Sequence, residues 1–129
     1  MTTVQDLQKQ FHCCMPLFIA LGDKVRLSIV ELLTEAAVRS EDPQGTIDFE
    51  GHAMNVNEIT RRTSLSRPAI SHHLKILKDA GLVGVRQDGT ANYYYLTLRD
   101  STRSLMELGY RLEAVSYTHL RAHETDQYL

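Results

Sequence analysis

Ser66, Arg67, Ala69, Ser71 and His72 stand within one seven-residue stretch, and Lys75 and Lys78 follow at the next helical turns. An arginine fork can give two parallel hydrogen bonds to a guanine edge. A serine hydroxyl or an imidazole can donate or accept, and an alanine can meet a thymine methyl. Arg61 ahead of the cluster and Arg86 behind it are cations of the kind that neutralise phosphates. These are groups for reading a duplex. A phosphate-binding glycine loop, a nucleophile elbow and a paired-carboxylate cleft are not recognisable, so no enzyme is expected.

The chain carries a net charge of −2, which by itself argues against a polyanionic partner. The distribution argues otherwise. Between Asn57 and Thr90 lie Arg61, Arg62, Arg67, Lys75, Lys78 and Arg86 against Glu58, Asp79 and Asp88, so that stretch is +3 and the remainder −5. Charge alone fits a solvated surface as well as it fits DNA. The order of elements has to decide.

Ser66 is expected to start a helix, with Pro68 in the first turn, where a missing N–H costs nothing. Ile70, Leu74 and Leu77 recur on its inner face until Gly81 stops it. Just before it, Asn57 is expected to cap a short helix with Glu58 in its first turn and Ile59 inward, and Thr63 to Ser66 forms a tight link. Beyond Gly81, the residues Leu82, Val83 and Val85 form a strand. Asp88-Gly89 marks a hairpin turn, and Ala91 to Leu98 returns as a second strand. Alternation is expected to turn Tyr93 and Tyr95 into the core, leaving no base-stacking platform. Arg86 and the tip from Gln87 to Thr90 are then placed to reach a phosphate or the minor groove.

The rest of the chain supports these elements. Val4 to Leu21 is helical in pattern, and Pro16 is expected to break it into two pieces. Asp23 is expected to cap a second helix, striped by Val25, Ile29, Leu32 and Leu33 and reaching about Ala37. Arg39 to Gly51 is a turn-rich loop with room for a short strand at Thr46 to Phe49. A last helix starts near Asp100 or Ser101, and its stripe of Leu105, Leu108, Leu112 and Val115 needs a partner. The fold class is therefore mainly α with a small β-hairpin (α+β), a winged helix-turn-helix of order α-α-(β)-α-α-β-β-α.

With 129 residues, 43% of them hydrophobic, residues 1–115 can bury one core without metals or disulfides. No apolar run has the length of a membrane span, and the first residues lack the pattern of a signal peptide, so the cytoplasm is expected. The two cysteines, Cys13 and Cys14, are adjacent and expected to be reduced.

The chain from about Phe18 to Leu98 resembles the ArsR/SmtB family of bacterial repressors. Leu21-Gly-Asp-Lys-Val-Arg-Leu-Ser-Ile-Val-Glu-Leu-Leu33 is similar to that family's opening signature. Ser66-Arg-Pro-Ala-Ile-Ser-His-His-Leu-Lys-Ile-Leu-Lys-Asp-Ala-Gly-Leu-Val83 resembles its recognition helix, and Arg86 to Leu96 its wing. The resemblance implies a homodimer built from the first and last helices, bound to double-stranded DNA and released by an effector.

It also locates the family's metal sites. A Cys-Val-Cys pattern that grips soft metals falls here on Asn55 and Asn57, and asparagine is a poor ligand for them. A second site uses Asp and His on the last helix, yet Asp100 to Val115 contains no histidine. Cys13 and Cys14 are left as weak metal candidates. Adjacent helical residues point about 100° apart, and Cys14 lies on the apolar stripe, which favours packing over thiol sensing. No cofactor is expected, while a metal or thiol effector stays open.

His119, His123 and Glu124 have ligand-like spacing. However, Ser116 to Thr125 resembles translated sequencing-adapter read-through, so residues 116–129 are expected to be a tail without an evolved role. His52 falls in the loop, and His73 is expected to be a packed, hydrogen-bonded imidazole. The reading that results is a DNA-binding repressor, and its rival is a winged-helix protein-interaction module.

Overall fold

The computed structural model describes residues 3–38 and 47–128, with side chains through Ser116 in the last helix. In chain order the elements are α1 (Val4–Leu21), α2 (Lys24–Val38), β1 (Met54–Asn55), α3 (Val56–Arg61), α4 (Arg67–Asp79), β2 (Val83–Asp88), β3 (Ala91–Leu96) and α5 (Arg99–Tyr128). The strands form one antiparallel sheet of order β1-β3-β2. This is the expected α+β order. The chain divides into two compact units, one of Met1–Met15 with Arg99–Leu129 and one of Pro16–Leu98.

Helices α1 to α4 each start where a side chain satisfies free N–H groups. Thr3 and Asp6 form a reciprocal box at α1: the Asp6 N–H donates to Thr3 Oγ1 at 3.0 Å and the Thr3 N–H to Asp6 Oδ2 at 3.1 Å. Those bonds, the Thr3 N–H foremost, hold the Asp6 carboxyl below its ordinary value. Asp23 caps α2 as expected, accepting from the N–H groups of Val25 at 2.8 Å and Arg26 at 3.2 Å.

Three expectations about elements need correction. First, Pro16 does not split the first helix, since α1 is continuous. The proline removes one N–H, while Leu17 and Ala20 just beyond it are buried and hold the helix in register. Second, Ile47 to Phe49 do not form the short strand expected at Thr46 to Phe49. Residues 39–46 lie outside the described residues, and from Ile47 onward the strand comes only at Met54–Asn55, where Met54 pairs with Tyr94 and Asn55 with Tyr93.

Third, the cap of α3 is Asn55, not Asn57: Asn55 Oδ1 accepts from the Glu58 N–H at 2.8 Å. Asn57 is already inside the helix and exposed. Asn55→Ala should therefore cost about 1 kcal/mol of stability, and Asn57→Ala a few tenths at most. Urea titration of both variants checks this; a larger loss for Asn57→Ala would contradict the cap.

The core of the second unit gathers Ile29 and Leu33 from α2, Ile59 from α3, Ile70, Leu74 and Leu77 from α4, and Val83 and Leu96 from the sheet. The end of α4 ties it to the wing. The Gly81 N–H donates to the Lys78 carbonyl and the Leu82 N–H to the Leu77 carbonyl, both at 3.0 Å, with Gly81 at a φ of 79°. This is a Schellman close, in which only glycine takes the left-handed position without strain. Leu77 and Leu82 are both buried beneath it.

Candidate nucleic-acid interface

Ser66 accepts from the Ala69 N–H at 3.4 Å, so the hydroxyl that opens α4 serves its backbone. Arg67 and Pro68 fill the first turn, which contains no acidic residue. The positive end of the helix dipole is therefore uncompensated except by whatever approaches it, and anions are favoured there. Ile70, Leu74 and Leu77 are fully buried, which fixes the rotation of the helix. Arg67, Ser71, Lys75 and Lys78 then form one exposed stripe, with His72 exposed beside it and Ala69 half-buried.

The wing is a hairpin whose two-residue turn is Gly89-Thr90, one residue later than the Asp88-Gly89 pair expected, because Asp88 pairs with Ala91. Gly89 has a φ of 64°, the left-handed value that the first central position of a II′ turn requires. Register settles the faces. Val83 lies opposite Leu96, Val85 opposite Tyr94, and Gln87 opposite Asn92, so these six share the face that packs on the helices.

The phase expected for the tyrosines is thus wrong: Tyr94 packs against the core, and Tyr93 and Tyr95 share the other face with Arg86 and Gly84. Buried Val83 and Leu96 set the register, and a period of two leaves no choice for the rest.

Between α4 and the wing runs a polar cleft lined by Asn55, Val56, Asn57, Arg67, Ser71, Thr90, Ala91, Asn92 and Tyr94. It joins two of the expected base readers, Arg67 and Ser71, to residues of the wing tip. His72, Lys75 and Arg61 are exposed on their helices but do not line it. Arg86 is elsewhere. Its guanidinium lies over the Tyr93 ring, 5.3 Å from the centroid, and lines a shallow depression with Asp48, Glu50 and Gly51.

Asn57 and Asn92 are cleft residues that sequence reasoning did not single out as DNA contacts, whereas Thr90 belongs to the wing tip expected to reach the duplex. Asn92 had a signal in the alternation, since it is two residues from Tyr94 and continues the helix-facing row past the core.

His73 is half-buried, and its Nδ1 lies 3.1 Å from Arg26 Nη1. Guanidinium can only donate, so Nδ1 accepts and the ring is a neutral, hydrogen-bonded imidazole, as expected. Cys14 is fully buried, with its thiol donating to the Ser104 carbonyl at 3.4 Å, whereas Cys13 is exposed. The two thiols do not face one ligand. Among the described residues no three of His, Cys, Asp and Glu are gathered as metal ligands would be, and the side chains of His119, His123 and Glu124 lie outside them.

A family model described as bacterial regulatory protein, arsR family, matches residues 49–85, from the loop through the helix pair to the first wing strand. An HTH-type transcriptional regulator of Methanocaldococcus jannaschii is 36% identical over 100 residues, covering 78% of this chain and 94% of that protein. The chain belongs to the arsR family.

The transcriptional repressor SdpR of Bacillus subtilis is 32% identical over 87 residues, covering 65% of this chain and 79% of SdpR. A solved homodimeric winged helix-turn-helix DNA-binding domain from Mycobacterium bovis matches with a TM-score of 0.55 at 26% identity, covering 88% of this chain and 86% of that one. This arsR-family protein is a transcription regulator and not an enzyme. Its α3, α4 and hairpin are the helix-turn-helix and wing. Among the described residues no helix is long and apolar enough to cross a membrane.

Proposed function

We propose that this arsR-family protein is a cytoplasmic, homodimeric repressor that binds a specific DNA duplex and leaves it when an effector binds. The observation that carries the reading is the cleft that sets Arg67 and Ser71, on the exposed stripe of α4, opposite Thr90 and Asn92 of the wing. A recognition helix in the major groove presents its N-terminal side chains to base edges, and these are the side chains that α4 leaves exposed there.

Arg67, Ser71 and His72 are the base readers, with Ala69 available to a thymine methyl. Ser66 orients the helix end, while Lys75 and Arg61 contact phosphates. Arg86 joins them only by leaving the Tyr93 ring.

Dimerisation is assigned to the first and last helices because they leave large apolar side chains uncovered. Val4, Phe11 and Met15 of α1 and Leu105, Met106, Tyr110 and Leu112 of α5 are all exposed, and apolar groups of this kind are what an interface between copies would cover. The effector is assigned to no residue, and neither Cys13 nor Cys14 is given a metal.

Selection of bound duplexes from a random pool at physiological salt, read beside the solution mass, tests the proposal. An inverted repeat with half-sites about one helical turn apart, bound by a dimer, is expected. A folded dimer that enriches no sequence would overturn it in favour of the protein-interaction module.

A further inference from the structure

Arg26 uses three nitrogens of one guanidinium on three different acceptors. Nε donates to the Ala20 carbonyl at 2.6 Å and Nη2 to the Ile19 carbonyl at 3.2 Å, both in the last turn of α1. That turn has no basic residue of its own, so Arg26 supplies the cation its free carbonyls favour. The third nitrogen, Nη1, reaches His73 Nδ1 on α4 at 3.1 Å. The bracket is itself held, because Asp23 caps α2 and accepts from the Arg26 backbone N–H. That bond comes first in keeping the Asp23 carboxyl below its ordinary value, with the Val25 N–H and the Arg26 guanidinium behind it.

His73 sits between His72, which faces solvent, and Leu74, which is fully buried. A bond to its ring therefore bears on the rotation that aims Arg67, Ser71 and His72.

We propose that Arg26 is a positioning residue for the recognition helix, acting through neutral His73, and that protonation of His73 releases the helix and weakens duplex binding in acid. The inference rests on the DNA-reading assignment above. A protonated ring has no lone pair at Nδ1, so the acceptor is lost and a second cation stands against the guanidinium. The charged and titratable groups facing the ring are Arg26 and Asp23 on the α2 side and His72 on α4. Asp23 moderates the repulsion. A helix held in place for only part of the time binds with affinity reduced by that fraction.

His73→Asn separates this role from a structural one, because the Asn carboxamide oxygen can accept from Arg26 where Nδ1 does and does not titrate. At about pH 8, wild type and His73→Asn should bind the selected duplex within about twofold of each other, since both keep the acceptor. Toward about pH 5.5, wild type should weaken relative to His73→Asn by about tenfold, the scale of one charge-assisted hydrogen bond. His72 and every other histidine are the same in both proteins, so the difference belongs to His73. Parallel pH profiles would overturn the proposal.

Nitrogen-15 NMR of the free protein gives a second reading that needs neither DNA nor a variant. An unprotonated Nδ1 and a protonated Nε2 on His73 at about pH 8 are expected. The opposite tautomer would overturn the pairing. If no duplex is bound at any pH the DNA-reading assignment has failed, and the ring signals still decide whether Arg26 holds His73.

Discussion

Arg67→Ala is expected to weaken binding to the selected duplex by about 1–3 kcal/mol and to relax the preference at one base position in each half-site. Arg67 is the first residue of α4, exposed, in the cleft, and beside a helix terminus with no acidic neighbour in its turn. Its loss removes a two-point contact to one base edge and leaves the fold alone, because the buried face of α4 is untouched.

Competition among duplexes differing at single positions reads the effect. Uniform weakening across all of them, with preference intact, would mean that Arg67 only contacts phosphate. Lys75→Ala supplies that contrast: affinity should fall for every sequence, and the dependence on salt should drop by about one phosphate equivalent. An unchanged salt slope for Arg86→Ala would mean that Arg86 makes no phosphate contact.

The largest effect on stability is expected from Leu74→Ala, at about 2–5 kcal/mol. Leu74 is fully buried in the middle of α4, and α4 packs on α2, α3 and β2, so the vacated space is walled by several elements and collapses poorly. A total stability of about 5–15 kcal/mol is ordinary for a domain, so such a loss takes a large share of it. The urea midpoint should fall with little change in slope. A loss under about 1 kcal/mol would mean that the core around α4 is loosely packed.

What was legible in the sequence followed the strength of local signals. Ser66, Pro68 and Gly81 punctuate α4, and Ile70, Leu74 and Leu77 fix its inner face, so its bounds and its exposed stripe could be read from spacing. Asp23 before α2 was legible for the same reason.

Where two placements satisfied the same local rule, tertiary pairing decided. Asn55 and Asn57 are both plausible caps, and the pairing of Met54 with Tyr94 keeps the chain extended up to Asn55, which selects the earlier one. Three consecutive tyrosines carry no alternation of their own, and the burial of Leu96 two residues beyond Tyr94 sets their phase. Arg26 and His73 are separated by 47 positions. Nothing local announces their bond.

The homodimer reading draws on a different kind of observation, the uncovered apolar side chains of α1 and α5. In α5 the sequence shows Leu105, Leu108, Leu112 and Val115 as a stripe in need of a partner, and the structure leaves Leu105 and Leu112 exposed while Leu108 is buried.

The claim on which the rest depends is that the exposed stripe of α4 and the tip of the wing together meet a duplex. Backbone amide shifts recorded while the selected duplex is titrated into labelled protein test it most directly. The largest changes are expected at residues 66–75 of α4 and 87–92 of the wing, with α5 little affected. Changes confined to other surfaces, with α4 and the wing silent at saturation, would contradict the account.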